Sequence, residues 1–198
     1  MSNSEKKESS LLSMVATLGI ITSLAGLLLA WVNVITAGPV AEANRQGRIS
    51  AIESVAPKFD NDPLSEAVVV AVGGDSVKVY PAKEGDRLVG AAVEGFSMNG
   101  FSGRIDVMFG FDADGTVTGY EVLSHAETPG LGAKMNEWFR SPEGNRSVIG
   151  RSPARANMTV AKDAGDVDGI TAATITSRAF LEALRTAYDA FHQIETAN

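Results

Sequence analysis

The chain contains no cysteine and only two histidines, His125 and His192. The first absence excludes disulfides, thiolate nucleophiles, cysteine-bound zinc and cysteine-bound iron–sulfur clusters. The second leaves too few ligands for a metal or haem site built from several histidines. Any redox chemistry carried by this chain would therefore depend on an organic cofactor.

Basic residues are also scarce, because 17 Lys and Arg stand against 24 Asp and Glu, a formal net charge of -7. A chain this acidic gains nothing from approaching a phosphate backbone, so we expect no nucleic-acid partner. Apolar residues make up 44% of the 198 residues and charged residues 21%, which is typical of a folded chain rather than a disordered one.

Charge is missing altogether between Ser9 and Ala41. Within this stretch, the 27 residues Leu11–Ala37 are long enough to cross a bilayer as a helix, which needs roughly 20 apolar residues. A signal-peptide core would be shorter, at about 7–15 residues, and no clear A-x-A cleavage site follows. We therefore predict a retained membrane helix over 11–37 behind a tail of residues 1–10. The net charge then falls on residues 38–198, which hold 15 basic and 22 acidic groups.

The charges that flank this apolar run do not set its orientation. Lys6 and Lys7 precede it, and Arg45 and Arg48 follow at a similar distance. The positive-inside rule therefore gives nearly a tie.

The remainder of the chain predicts an α+β domain. Over 38–64 we expect a connecting helix at about 41–56, ended by Pro57, and a turn-rich linker at 59–63. Strands are predicted over 67–72, 76–80 (stopping at Pro81), 87–96, 104–111 and 116–123, with a further one over 156–162. Helices are predicted over 133–139 and 177–195, the second strongly amphipathic. Strands first and helices later indicate a mainly antiparallel sheet with flanking helices over 65–198.

Residues 168–177, which read DGITAATITS, lead directly into the last helix. Backbone amides at a helix start are unpaired and carry partial positive charge, so they favour a bound phosphate. The small residues Ala172 and Ala173 would let a ligand come close to the backbone. The alternative is an ordinary hydroxyl N-cap from Thr176 or Ser177, and the residues by themselves favour it.

Residues 125–132, which read HAETPGLG, follow the last predicted strand. Two glycines and a proline define a tight loop in which Leu131 could offer an apolar surface to a planar ligand. The alternative is a strand-to-helix connection with Thr128 as helix cap and Pro129 as first helical residue. His125 and Glu127 could in principle perform acid–base work, but we assign them no such role.

Together the two segments resemble the G subunit of the Rnf electron-transport complex and the related C subunit of the sodium-pumping NADH:quinone oxidoreductase. HAETPGLG matches the family's ETPGLG loop. DGITAAT matches the flavinylation pattern of Asp, two residues, Ser or Thr, Gly, Ala and Thr. The resemblance covers essentially the whole chain, and the chain's short length favours the Rnf subunit. Ala172 departs from the pattern, which has Gly there, and would be strained if the position needs a positive φ.

The resemblance implies one N-terminal membrane helix, a cytoplasmic tail and an FMN-binding domain on the periplasmic side of the inner membrane. It also implies that a flavin transferase joins FMN, donated from FAD, to Thr174 through a phosphoester. Thr171, Ala172 and Ala173 would then line the phosphate and ribityl chain. The residues that would approach the flavin are Glu127, Thr128, Gly130 and Leu131.

The function implied by the resemblance is electron transfer within a larger assembly. The chain would be one electron-carrying subunit, not catalytic by itself, of a membrane complex that couples ferredoxin:NAD electron transfer to ion movement. Its partners would be the other membrane and peripheral subunits. Two alternatives stay open: a flavinylated domain that serves another extracytoplasmic reductase, and a tethered binding domain without flavin.

Overall fold

The computed structural model describes residues 11–196 and consists of a long helix, a five-stranded sheet and a C-terminal helix. The α-helices are α1 (Leu11–Val55), α2 (Met135–Trp138) and α3 (Thr174–Glu195), and short 3-10 turns cover Gly132–Lys134 and Ala161–Asp163. The strands are β1 (Val68–Val72), β2 (Asp75–Glu84), β3 (Arg87–Gly100), β4 (Gly103–Asp112) and β5 (Val117–His125). The predicted α+β class is confirmed, and the predicted tail of residues 1–10 lies outside the described residues.

Helix α1 joins two segments that the sequence predicted as separate helices. In the part of the chain that the structure describes, α1 is the one helix long and apolar enough to cross a membrane. It continues through Pro39, so the break predicted after Ala37 is wrong. Proline lacks the N–H that would bond to the carbonyl four residues earlier, a loss that membrane helices tolerate because neighbouring groups or local adjustments satisfy the freed carbonyl. The helix ends at Val55, shortly before Pro57, as predicted. The chain divides near Gly47 into two compact units.

The five strands form an antiparallel meander in the order β1-β2-β3-β4-β5. The predicted alternation in β4 is confirmed, since four side chains share the buried face that packs on α3: Ile105, Val107, Phe109 and Phe111. The predicted hairpin turn is also present, and Asp112 Oδ1 accepts the N–H groups of Asp114 at 3.0 Å and of Thr116 at 2.8 Å. The Asp112 side chain therefore stabilises this turn by accepting backbone N–H groups, as aspartates in turns commonly do.

Helix α3 covers one face of the sheet and completes the main core. Phe180 stacks on Phe139 at 4.2 Å between ring centroids and meets Tyr120 edge-on at 4.9 Å. The helix lies so close to β3 that a Cβ added to Gly95 would stand 2.3 Å from the Ala183 carbonyl oxygen. Only glycine at this position lets the helix and the strand approach so closely.

The last two turns of α1 cover the opposite face of the sheet. Their side chains form a second cluster with residues of β2, β3 and β4: Ala51, Ile52 and Val55 against Tyr80, Ala92 and Met108. Beside it, Glu94 Oε1 accepts the Tyr80 hydroxyl at 2.6 Å and Arg48 Nε at 2.8 Å. Burial, followed by the bond to the Glu94 carboxylate, raises the pKa of the Tyr80 hydroxyl. The segment predicted as a connector is therefore part of the folded domain.

Strand β2 continues past Pro81, and the linker predicted over 59–63 is hydrogen-bonded to it. Strand β1 pairs with β2 only as far as Val79, so Pro81 lies on an open edge where no strand needs its missing N–H. Asn61 from the linker covers this edge, because its amide nitrogen donates to the Pro81 carbonyl and its amide oxygen accepts the Lys83 N–H.

The strand predicted over 156–162 is wrong. Val160 makes a single parallel bridge to Val167, and the chain then turns into the 3-10 helix Ala161–Asp163. Met158 and Val160 are buried, which produced the misleading alternation. The backbone groups are instead paired within the loop, as in the bond from the Gly165 N–H to the Val160 carbonyl.

Candidate functional site

Hydrogen bonds at both ends hold the loop before α3, residues 168–173, in place. The Asp168 carboxylate accepts the Asn145 N–H at 2.8 Å, and the Asp168 carbonyl accepts the Trp138 indole N–H at 2.8 Å. Further along, the Ile170 N–H donates to Ser177 Oγ at 2.8 Å, and that hydroxyl donates to the Ala173 carbonyl at 2.9 Å. The loop therefore has one defined conformation against the helix.

Helix α3 begins at Thr174, three residues earlier than predicted, and no side chain caps it. The predicted caps are wrong because both hydroxyls have other partners. Ser177 bonds back to the loop, and Thr176 Oγ1 donates to the Glu127 carboxylate at 2.5 Å. The first backbone N–H groups of the helix are thus left without a side-chain acceptor, which favours an anion at this point.

Ala172 adopts a positive φ of 62° immediately before the helix start. This is the left-handed region, which costs a residue with a Cβ roughly 1–2 kcal/mol relative to glycine. Ala172 is therefore strained, as expected for a residue with a Cβ at a position of positive φ. The turn that it makes presents the Thr174 side chain, which is half-buried, at the surface of the domain.

Glu127 ties the His125–Gly132 loop to two other elements. Its side chain is buried, Oε1 accepts the Ser102 N–H from the β3–β4 hairpin at 3.0 Å, and Oε2 accepts the Thr176 hydroxyl. His125 Nδ1 accepts the Glu127 N–H at 3.1 Å, so this histidine is also part of the loop's internal bonding. Both carboxylate oxygens thus bond to the protein, which makes Glu127 the residue that joins the two sequence segments.

Gly132 lies where these contacts converge. A Cβ added there would stand 2.5 Å from Glu127 Oε2 and 2.6 Å from Thr176 Oγ1. The second glycine of the loop is therefore required by close packing. The alternative helix start at Thr128 and Pro129 is not found, because the 3-10 turn begins only at Gly132 and no side chain caps it. The helix predicted over 133–139 is present as this 3-10 turn followed by α2.

A cavity of about 300 Å³ opens between the loop, the hairpin and the start of α3. Its rim carries three exposed apolar side chains, Phe101, Leu131 and Ile175. The lining is completed by Glu127, Thr128, Gly132, Ala172, Ala173, Thr174 and Thr176. An apolar cleft with a few polar groups at its base is typical of a small-molecule or cofactor site.

A second cavity, of about 420 Å³, lies against the same Thr171–Thr174 segment and is more polar. Its charged lining residues are Lys162, Arg146 and Asp168. Lys162 Nζ donates to Thr174 Oγ1 at 3.3 Å, and Arg146 lies over the Trp138 ring at 4.1 Å from its centroid. Thr174 lines both cavities and therefore lies between an apolar cavity and a polar one.

The structure brings most of the predicted site residues together. Six of them line the apolar cavity, namely Glu127, Thr128, Leu131, Ala172, Ala173 and Thr174. Thr171 lines the polar cavity, and Gly130 lines neither, although its φ of 76° shapes the turn that carries Leu131. Sequence reasoning missed Phe101, Ile175 and Lys162. Phe101 was the one with a detectable signal, as an exposed aromatic residue between two glycines in a hairpin.

The site falls within a segment that matches a known family. Residues 100–189 match the family described as an FMN-binding domain. The chain is 36% identical over 163 residues to the G subunit of the ion-translocating oxidoreductase complex of Aliivibrio fischeri, covering 77% of each chain. The G subunits of the same complex in Yersinia pestis, 35% identical over 86% of this chain and 85% of the relative, and in Escherichia coli, 34% identical over 81% of both, are similar to it as well.

The chain belongs to the family of G subunits of ion-translocating oxidoreductase complexes. The resemblance stated from the sequence is thereby confirmed, and so is the presence of an FMN-binding domain. These relatives are named as subunits of a complex, which implies that other subunits accompany them.

The residues of the site fit FMN. The apolar cavity offers Phe101, Leu131 and Ile175 to a planar ring, and the uncapped start of α3 with Lys162 nearby offers positive charge to a phosphate. Thr174 provides a hydroxyl at the boundary between the two. FMN joins an apolar ring to an anionic phosphate, and these two parts match the apolar cavity and the positively charged helix start.

Proposed function

We propose that Thr174 carries FMN through a phosphoester and that this G subunit passes electrons within a membrane-bound Rnf-type complex. The observation that supports the proposal most directly is the position of the Thr174 hydroxyl, which lies at an uncapped helix start between an apolar cavity and a polar one and bonds to Lys162. When bound, FMN would supply one- and two-electron chemistry. The chain's own residues would hold it in place and would not catalyse a reaction without the other subunits.

Attachment would be made by a flavin transferase that uses FAD. The Thr174 oxygen would bond to the phosphorus of the FMN half while the pyrophosphate P–O bond to the AMP half breaks. AMP would leave with the bridging oxygen, and the Thr174 hydroxyl proton would pass to the departing AMP or to water. The phosphate would then act as the missing N-cap of α3, with Thr171, Ala172 and Ala173 beside it. The flavin would contact Glu127, Thr128, Gly130 and Leu131, of which Leu131 offers the exposed apolar side chain.

Covalent attachment is tested by flavin fluorescence of the chain on a denaturing gel, after expression in cells that hold the transferase. We expect a fluorescent band for the wild-type chain and for Thr186→Ala, and none for Thr174→Ala. Thr186→Ala is the matched control, because it removes a hydroxyl from the same helix outside the motif. Fluorescence that persists in Thr174→Ala would mean that the flavin is attached to another residue. A wild-type band without fluorescence would refute covalent attachment.

We further propose that α1 anchors the chain in the inner membrane with the N-terminus in the cytoplasm and the FMN domain in the periplasm. In that position the subunit would take part in ferredoxin:NAD electron transfer coupled to ion translocation. Protease added to intact spheroplasts should then digest the domain and leave cytoplasmic proteins whole. Co-purification with integral membrane subunits distinguishes this role from service to a different extracytoplasmic reductase, for which those subunits would be absent.

A further inference from the structure

Lys162 is the cationic side chain that touches the hydroxyl of Thr174. It lies on the 3-10 helix Ala161–Asp163, and its amino group donates to Thr174 Oγ1 at 3.3 Å. A threonine hydroxyl is a weak partner for an exposed ammonium group, so the contact by itself contributes little to folding. A phosphate on the same oxygen would bring a full negative charge to this position.

The acidic side chains near Lys162 bond to other groups. Asp163, next to it in sequence, makes two bonds to the Arg178 guanidinium, at 2.7 and 2.8 Å, and interacts with the charge of Lys162 through space only. Asp168, which lines the same cavity, accepts the Asn145 N–H at 2.8 Å.

Arg146, in the same cavity, pairs with Glu143. Among residues 11–196, Lys162 itself makes no ion pair with a carboxylate. Lys162 therefore lies beside the Thr174 hydroxyl without an ion-pair partner of its own.

The fold fixes Lys162 from two sides. The bidentate Asp163–Arg178 pair ties its 3-10 turn to the second turn of α3, and the Ala161 N–H donates to the Val167 carbonyl at 2.8 Å. The turn and the helix start are thus held together by contacts that do not involve the lysine. This arrangement is what a positioning cation requires, because the backbone is ordered before the anion arrives.

We propose that Lys162 pairs with the phosphodiester that joins FMN to Thr174, an inference that rests on the function proposed above. A phosphodiester carries one negative charge at neutral pH, and Lys162 supplies the matching positive charge as a point donor. The pair holds the phosphate on the polar side of the Thr171–Thr174 segment. Lys162 is in this sense a positioning residue for the flavin linkage.

Amine labelling of the full chain in detergent tests the pair without any substitution. The wild-type chain is prepared from cells with and without the transferase, treated with an acetylating reagent and analysed by peptide mass spectrometry. We expect Lys162 to react several-fold more slowly in the flavin-bearing chain, while the exposed Lys78 on β2 reacts equally in both. The protection of Lys162 should fall at 1 M NaCl, where the Debye length is about 3 Å. Equal labelling in the two samples, or protection that salt does not alter, would overturn the proposal.

A charge-removing variant gives a second measurement. Lys162→Gln and Lys162→Arg are each prepared with and without flavin and compared with Lys78→Gln by thermal unfolding. Lys162→Gln should lower the midpoint in the flavin-bearing chain only, and Lys162→Arg should retain most of the wild-type value. An equal loss with and without flavin would mean that the lysine is merely structural. A wild-type chain that takes up no flavin would contradict the proposed function instead, so the two failures are distinguishable.

Discussion

The Glu127 carboxylate joins three pieces of chain that lie far apart in sequence. One oxygen accepts the Ser102 N–H, and the other accepts the Thr176 hydroxyl. HAETPGLG and DGITAAT could each be recognised from sequence, but nothing in either segment says that this buried bond connects them. The sequence predicts that Glu127 contacts the flavin, and the residue does line the apolar cavity. Its bonds within the protein could not be predicted, because tertiary hydrogen bonds leave no periodic pattern.

Replacing Glu127 by Met should destabilise the domain. Methionine is of similar size but offers no oxygen, so the Ser102 N–H and the Thr176 hydroxyl would both lose the acceptor that the carboxylate provides. We expect the free energy of unfolding to fall by about 1–3 kcal/mol, the range for leaving a buried polar group unpaired. Thermal or urea unfolding measures this loss, with the exposed Glu137→Met as the matched control. A loss no larger than that of the control would contradict the bonding described here.

Ala172 and Ala164 form a matched pair, because they are the two non-glycine residues with positive φ in the part of the chain described, at 62° and 60°. Removing the Cβ relieves steric cost in the folded state, and the added freedom of glycine in the unfolded state offsets part of the gain. We expect both Ala172→Gly and Ala164→Gly to raise the free energy of unfolding by about 1 kcal/mol or less. Only Ala172→Gly should also raise the fraction of chains that carry flavin, measured by mass. A fall in stability for Ala172→Gly would show that the methyl group has a packing role.

Elements with strong periodicity could be predicted from the sequence, and those without it could not. The alternating residues of β4 and the apolar face of α3 identified the two surfaces that form the core. The start of α3 was misplaced, because Ser177 bonds to Ile170 rather than capping the helix. Residues 156–162 alternate like a strand, yet they form a turn held by local bonds. Lys162 was overlooked for this reason, since its place beside Thr174 depends on that turn.

The contact between the 3-10 turn and α3 should depend on pH. The Arg178 guanidinium, bonded to Asp163, holds the pKa of that carboxyl below its ordinary value of 3.8. Because the folded-state pKa is the lower one, the pair stabilises the folded chain above about pH 4 and loses this effect as the pH falls through the folded-state pKa. Asp163→Asn should therefore lower the thermal midpoint slightly at pH 7, since both groups are exposed and screened.

The pH dependence is measured as the thermal midpoint of the wild-type chain and of Asp163→Asn over a series of pH values. The gap in thermal midpoint between the wild-type chain and Asp163→Asn should narrow below about pH 4 and vanish at lower pH. The matched control is Asp86→Asn, which removes an exposed aspartate of the β2–β3 turn that makes no ion pair within residues 11–196. A gap for Asp163→Asn that stays constant across the series would contradict an ionised pair.

Across the whole molecule, apolar surface and charge are separated along the chain. The described part of the apolar run exposes large side chains from Leu11 to Val40, whereas the charge of -7 falls on residues 38–198. Exposed apolar surface on this scale is typical of a segment that contacts a membrane or another protein. The sequence alone predicted this division, because a run without charge needs no tertiary information to be recognised.

Membrane attachment through α1 should therefore resist treatments that remove peripheral proteins. We expect the full chain to stay in the membrane pellet after washes at high salt and at alkaline pH, and to enter solution only with detergent. Immunoblotting of the pellet and supernatant measures the partition. Release by salt alone would mean that the chain is held by charge and that α1 does not span the bilayer.

The mass of the intact chain, followed by mapping of the modified peptide, tests the central claim most directly. For protein purified from cells that hold the transferase, we predict a mass higher than that of the same chain from cells without it by one FMN less one water, with the addition located on Thr174. An unmodified mass, or a flavin located on any other residue, would contradict the account.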